Sequence, residues 1–196
     1  MKKPALPDRL TYSALPGLKM TKRALNNLLE RGEYVRVAPG VFLRAGLTDD
    51  RMAGWISAAT KKPAATLCLS SALAFHGLLD EAPSHSHIAV PLGTMPPMMY
   101  SGDIQWHRFR PGSYEVGRST IRLPGDVNIG IYSAERTILD IFAMKNEWGI
   151  DLAIESLHRW LKRPYSDPSV LFAIVPHFPR ARPSLKRALT LLGVPY

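Results

Sequence analysis

Residues 21–46 read TKRALNNLLERGEYVRVAPGVFLRAG, and this stretch decides how the N-terminal region is interpreted. Thr21 is a good helix N-cap, because its hydroxyl can accept a hydrogen bond from a free amide of the first turn. The apolar residues that follow at helical spacing are Ala24, Leu25, Leu28 and Leu29. Gly32 is placed to end this helix, since glycine readily adopts the left-handed conformation found there. The stretch therefore predicts a helix that begins after Thr21 and ends before Gly32.

Two β-rich runs follow, YVRVA and VFLR, and they flank the turn residues Pro39 and Gly40. This pattern predicts a β-hairpin. Ahead of the helix, the sequence from Leu10 to Leu15 predicts a shorter helix that stops at Pro16–Gly17. Helix, turn, helix and hairpin is the order of a winged helix-turn-helix. We therefore expect residues 1–46 to be a DNA-binding domain of that type.

Residues 47–196 mix helical and extended patterns and carry no internal repeat, which predicts a second, larger domain. The expected helices are Asp49–Thr60, Ser70–His76, Ala134–Lys145, Asp151–Lys162, Pro168–Val175 and Pro183–Leu192. The expected strands are Leu67–Leu69, His87–Pro91, Ile104–Phe109, Ser119–Leu123 and Val127–Tyr132. Strands gathered in the middle, with helices on either side, favour an α+β fold over a repeating βαβ fold.

The helix after Thr21 has a polar side opposite its leucines. Its outward residues include Lys22, Arg23, Asn26 and Asn27. Arginine and asparagine pair bidentately with guanine and adenine edges in the major groove. The N-terminal part of the second helix of a helix-turn-helix makes the base contacts. These four residues are therefore the candidate base readers, although a solvated polar face is the simpler alternative.

The net charge of +9 is typical of a phosphate-binding protein, and its distribution is uneven. Residues 1–46 carry nine Lys and Arg against three Asp and Glu, a local excess of +6. Lys19, Arg36 and Arg44 lie in the turn and the hairpin, where we expect them to contact DNA phosphates. Such contacts position a protein on the duplex without reading its sequence.

A second basic group lies around the start of the last predicted helix. Its members are Arg180, Arg182, Lys186 and Arg187. The helix dipole disfavours cations at a helix N-terminus, so helix stability does not explain them. We expect them to contact DNA backbone or an acidic or RNA-bearing partner.

Several segments, taken in order, resemble the AbiEi-type (abortive-infection) antitoxin family. They are RGEYVRVAPGVFLRAG from Arg31, LSSALAFHGLLDE from Leu69, SHIAVP from Ser86, DIQWHRF from Asp103, YSAERTILDIF from Tyr132 and GIDLAIESLHRWLKR from Gly149. The resemblance covers nearly the whole chain. One departure is that only nine residues precede Leu10, where such domains usually have a full helix.

The resemblance implies a bacterial transcriptional autorepressor and antitoxin. Its N-terminal domain would bind double-stranded DNA at its own operator, which is expected to contain repeats. Its C-terminal domain would counteract a nucleotidyltransferase toxin encoded next to it, without requiring a stable complex. The alternatives are a ligand-responsive winged-helix regulator and a nucleic-acid-processing enzyme.

Other features argue against catalysis and against a resident metal. The single cysteine, Cys68, excludes an intramolecular disulfide. His85 and His87 could share one face of a strand, but no acidic or cysteine neighbour in the sequence completes a ligand set. Arg136 and Asp140 are expected to form a local i,i+4 ion pair on a helix that Ser133 caps. We expect no enzyme activity, no metal and no cofactor, and the lack of a long apolar run predicts a cytoplasmic protein without a membrane span.

Overall fold

The N-terminal region forms a three-stranded antiparallel sheet with one helix packed on it. The computed structural model describes residues 6–195, so Lys2 and Lys3, which add to the N-terminal charge, lie outside the described residues. The elements are strand β1 (Arg9–Thr11), helix α1 (Lys22–Glu30), strand β2 (Tyr34–Ala38) and strand β3 (Val41–Arg44). Strand β3 lies between β1 and β2. The helix and the hairpin expected from residues 21–46 are confirmed.

Helix α1 begins and ends at the residues that the sequence indicated. The Thr21 hydroxyl accepts a hydrogen bond from the Ala24 amide at 3.1 Å. At the other end Gly32 has φ +70°. The Gly32 amide donates to the Leu29 carbonyl, and the next amide, of Glu33, donates to the Leu28 carbonyl. This pair of bonds is a Schellman motif, which satisfies carbonyls at the helix end and requires a left-handed residue.

The short helix predicted over Leu10–Leu15 is wrong. Strand β1 occupies its first residues, and Leu10 pairs with Phe42 of β3. A series of turns then covers residues 12–19 and stops at Lys19, whose φ is +52°. Pro16–Gly17 therefore lies inside the turns and does not end them. Leu10 is fully buried, so pairing with a distant strand and burial of this side chain outweigh the local helical preference.

The larger part of the chain contains a second sheet and most of the helices. Its strands are β4 (Thr66–Leu67), β5 (Ser86–Pro91), β6 (Ile104–Phe109), β7 (Arg118–Leu123) and β8 (Val127–Tyr132). Its helices are α2 (Asp50–Lys61), α3 (Leu69–Phe75), α4 (Pro111–Tyr114), α5 (Ala134–Ala143), α6 (Lys145–Trp148), α7 (Ile150–Leu161), α8 (Pro168–Ile174) and α9 (Arg182–Leu191), with a 3-10 turn at Val175–His177. Within residues 6–195, every helix is too short or too polar to cross a lipid bilayer.

The five strands lie in the order β6-β5-β4-β8-β7. Pairs β5–β6 and β4–β8 are parallel, whereas β4–β5 and β7–β8 are antiparallel. Helix α2 and the hairpin pack on one face of this sheet. Helices α3, α5, α7, α8 and α9 form a layer on the other face. The α+β fold class expected from the sequence is confirmed.

The hydrophobic core is continuous across the boundary predicted at residue 46. On one face of the hairpin, Tyr34 and Phe42 join Leu10 and Leu25 in a small N-terminal core. On the other face, Val37 and Leu43 belong to the core that includes α2 and the larger sheet. The N-terminal sheet therefore shares its second face with the body of the protein, and the division into domains 1–46 and 47–196 stays a prediction.

Helix α5 contains a buried ion pair at its centre. Arg136 and Asp140 form the expected i,i+4 pair at 2.9 Å, and their side chains are only 1% and 7% exposed. Burial raises the pKa of Asp140 to about 6, and the Arg136 guanidinium opposes this rise. Arg136 also donates to the carbonyls of Ser113 and Val116. The expected cap is confirmed, because the Ser133 hydroxyl accepts from the Arg136 amide.

Candidate nucleic-acid interface

Helix α1 has one buried and one exposed side. Leu25 is fully buried in the small N-terminal core, and Leu28 and Leu29 pack against that core. All four candidate readers are exposed: Lys22, Arg23, Asn26 and Asn27. The leucines fix the helix to the sheet, while the polar side points away from it. The body of the protein does not cover this side.

Three of these side chains have no partner in the part of the chain that the structure describes. Within residues 6–195, the side chains of Arg23, Asn26 and Asn27 form no hydrogen bond or ion pair. The first turn of α1 contains no acidic residue, although it carries two cations. Because the helix dipole disfavours cations at this end, Lys22 and Arg23 do not stabilise the helix. The arrangement leaves cationic and amide donors available to a ligand at the N-terminal half of α1.

A line of aromatic and cationic side chains joins α1 to the hairpin. Lys22 Nζ lies 5.5 Å from the centre of the Tyr12 ring. The Tyr12 ring meets the Phe42 ring edge-on, with 5.2 Å between their centres. The guanidinium of Arg36, on β2, lies 5.5 Å from the centre of the Phe42 ring, on β3. These contacts fix the positions of both cations; Lys22, Tyr12 and Arg36 are exposed, whereas the Phe42 ring between them is fully buried.

Sequence reasoning missed Tyr12 because the residue fell inside the wrongly predicted helix. Tyr12 is 43% exposed, and it lies between the N-terminal end of α1 and the hairpin turn. The order apolar Leu10, polar Thr11 and aromatic Tyr12 is compatible with a short strand. This alternation is the sequence signal that could have placed Tyr12 beside the hairpin.

The three residues expected to contact phosphates differ in their exposure and in their partners within the protein. Lys19 and Arg36 are exposed. Arg44 is already engaged within the protein: its Nε donates to Asp8 Oδ1 at 2.8 Å, and its guanidinium also reaches the Leu6 carbonyl. The structure therefore favours a structural role for Arg44, tying the N-terminal segment to β3, over the phosphate contact expected from sequence.

The second basic group lies at the start of α9, as expected. Arg180, Arg182, Lys186 and Arg187 are all exposed. The structure adds Lys145 of α6, whose Nζ donates to Ser184 Oγ in the first turn of α9 at 2.6 Å. No acidic residue lies in that first turn. The sequence did not indicate Lys145, because this residue is distant along the chain from the start of α9.

Three of the six histidines take part in two separate side-chain pairs. His85 Nδ1 lies 2.7 Å from Asp103 Oδ2, a partner that the sequence order did not reveal. His87 Nδ1 lies 2.9 Å from His107 Nε2, so one ring donates to the other, and the Trp148 ring covers His87. Burial lowers the pKa of His87 to about 4, with His107 adding to the effect. Within residues 6–195, no group of three or more His, Cys, Asp or Glu side chains could hold a metal ion.

Comparison with known proteins supports the fold and nothing finer. No family model and no curated protein matches the chain. Among solved structures, the fold is similar to that of the RV2827C protein from Mycobacterium tuberculosis, with a TM-score of 0.55. The two sequences are 14% identical, and the match covers 93% of this chain and 72% of the other. At this identity the likeness is one of fold alone.

Proposed function

We propose that the N-terminal region is a winged helix-turn-helix that binds double-stranded DNA, and that the protein is a transcriptional regulator. The order of elements supports this: a strand, helical turns, a helix and a hairpin, with β1 adding to the hairpin beside β3. In this arrangement α1 is the recognition helix and the β2–β3 hairpin is the wing.

The observation that carries the proposal is the exposed side of α1. Arg23, Asn26 and Asn27 are exposed and make no side-chain bond within the described residues. Arginine and asparagine have the fork geometry that reads guanine and adenine. A helix side that only faces water does not need cations at its N-terminal end, because the helix dipole disfavours positive charge there.

Phosphate contacts come from the residues around that helix. Arg36 of the wing and Lys19 of the turn before α1 are exposed cations. Each phosphate that a cation neutralises releases counterions, so the logarithm of the affinity falls by about 0.9 for each tenfold rise in salt. The proposed mechanism therefore has a salt-dependent part from the cations and a sequence-dependent part from α1.

Binding to DNA from upstream of the protein's own gene, measured across a salt series, tests this mechanism. Arg23→Ala or Asn26→Ala is expected to cost about 1–3 kcal/mol at the operator and to relax sequence preference. Arg36→Ala is expected to weaken binding to all sequences alike and to reduce the salt slope by about one unit. Equal effects from the two classes contradict the assignment of readers.

Arg31→Ala is the matched control for Arg23→Ala. Arg31 is also exposed, but it lies at the other end of α1, about 12 Å along the helix axis at a rise of about 1.5 Å per residue. It already contacts Glu33. We expect this variant to keep the sequence preference of the parent protein.

The resemblance of the ordered segments supports a narrower proposal: an autorepressor and antitoxin of the AbiEi type. The larger domain then counteracts a nucleotidyltransferase toxin encoded beside it. Co-expression of the two neighbouring genes tests this, because the protein should restore growth that the toxin arrests. A neighbouring gene of another class, or growth that stays arrested, contradicts the antitoxin proposal and leaves DNA binding to be judged by the binding assay.

A further inference from the structure

A groove of about 450 Å³ lies beside the tip of the hairpin. The β1–turn segment 11–13 forms one side, and the hairpin turn 39–41 forms another. The third side is the C-terminal end of α2, with Thr60 and Lys61. Neither the helical pattern nor the hairpin in the sequence indicated that these three segments meet.

Hydrogen-bond donors line part of the groove, and none of the lining residues within 6–195 is acidic. Thr11 and Ser13 share one hydrogen bond between their hydroxyls at 3.0 Å, which leaves the second hydroxyl hydrogen free to donate outward. Thr60 Oγ1 accepts from Arg9 Nη1, so its own hydrogen is also available to an acceptor. Lys61 supplies a positive charge. Hydroxyls around an ammonium group suit an anion with several acceptor oxygens, as in a phosphodiester.

The groove is continuous with the exposed side of α1 through Tyr12. One lining residue of the groove is Tyr12, and its ring also lies under the Lys22 ammonium group. Gly40 closes the hairpin turn with φ +72°, and a Cβ there would come within 3.1 Å of the Tyr12 ring. A side chain at residue 40 would therefore require the Tyr12 ring to shift and would adopt a left-handed backbone conformation that favours glycine.

We propose that this groove binds the phosphate backbone of the same DNA duplex that α1 reads, with Lys61 as its cation. The inference rests on the proposed DNA-binding function and extends its contact surface beyond the winged region to α2. A strand that leaves the major groove beside Lys22 passes Tyr12 and places a phosphate between Lys61 and the hydroxyls of Thr11 and Ser13. Lys61 positions the duplex and does not select its sequence.

The test compares Lys61→Gln with Lys62→Gln. Both substitutions remove one charge at the end of α2, and both residues are half-buried, but Lys62 does not line the groove. Binding is measured across a salt series on two duplexes, the upstream DNA of the gene and a random sequence. Lys61→Gln is expected to reduce the salt slope by about 0.9 and the affinity at about 0.1 M salt by roughly fivefold to tenfold on both duplexes. Lys62→Gln is expected to leave the slope unchanged, and Lys61→Arg to restore it.

An unchanged slope in Lys61→Gln, or an equal loss in both variants, overturns the proposal. Thermal denaturation of both variants shows whether Lys61 stabilises only the end of α2, in which case Lys61→Gln lowers the Tm without changing the slope.

The proposed DNA reading by α1 and the proposed phosphate contact of Lys61 are contradicted by different results. If the parent protein binds both duplexes equally, base reading by α1 fails, while the slope on random DNA still decides the role of Lys61. If neither duplex is bound at low salt, both are wrong.

Discussion

The buried pair Arg136–Asp140 makes a quantitative prediction for stability. Arg136→Met removes the charge partner of a carboxyl that is 7% exposed and leaves the carbonyls of Ser113 and Val116 without their donor. It also removes a guanidinium held between the rings of Tyr132 and Phe178, whose centres lie 4.3 and 4.1 Å from it. Breaking a buried pair from one side costs about 3–5 kcal/mol. At about 2–4 °C per kcal/mol for a chain of this size, the Tm should fall by about 6–20 °C.

Thermal and urea denaturation followed by circular dichroism provide the measurement. Arg122→Met is the matched control, because Arg122 and Asp126 have the same residue types and the same i,i+4 spacing but are 77% and 80% exposed. Exposed pairs contribute little, so no measurable change is expected. Adding Asp140→Leu to Arg136→Met should cost less than the sum of the two single substitutions, since it removes the unpaired charge. Additive costs, or a loss as small as that of the control, would refute the reasoning.

Two further predictions concern stability. Gly117→Ala should destabilise the protein more than Gly32→Ala in urea denaturation, although both residues have φ near +65° to +70°. A Cβ at Gly117 would lie 2.7 Å from Arg136 Cβ, whereas a Cβ at Gly32 would meet no atom of residues 6–195 within 4 Å. Equal losses would contradict the packing at Gly117. His87 predicts a pH dependence, because its folded pKa of about 4 lies below its ordinary value of 6.5. Because the unfolded chain binds this proton more readily than the folded protein, the free energy of unfolding should be highest above pH 6.5 and should fall as the pH is lowered to about 4. His87→Gln should flatten this part of the stability profile, and an unchanged profile would show that other groups control it.

The elements of the candidate interface that sequence predicted well are those with local signals. The ends of α1 follow from Thr21 and Gly32, which act on amides and carbonyls within one turn of themselves. The hairpin follows from Pro39 and Gly40 between two β-rich runs. The polar side of α1 follows from helical periodicity, once Leu25 marks the buried side.

The features that sequence did not predict depend on residues far apart along the chain. Strand β1 has only three residues, and its identity depends on pairing with β3. Arg44 resembles a free cation in the sequence, yet Asp8 neutralises it across the folded region. The i,i+4 spacing predicted the Arg136–Asp140 pair, but its burial depends on Phe178 and on carbonyls from another segment, which no periodicity reveals.

The hairpin has buried side chains on both faces, Phe42 towards α1 and Leu43 towards α2. A reorientation of α1 against α2 would have to disturb one of these two packed layers, and close-packed layers resist small displacements. Any second copy that joined this protein through its larger domain would therefore carry its own α1 at a fixed angle and distance. If α1 reads DNA as proposed, the geometry of the larger domain in such an assembly would set the number of base pairs between two half-sites.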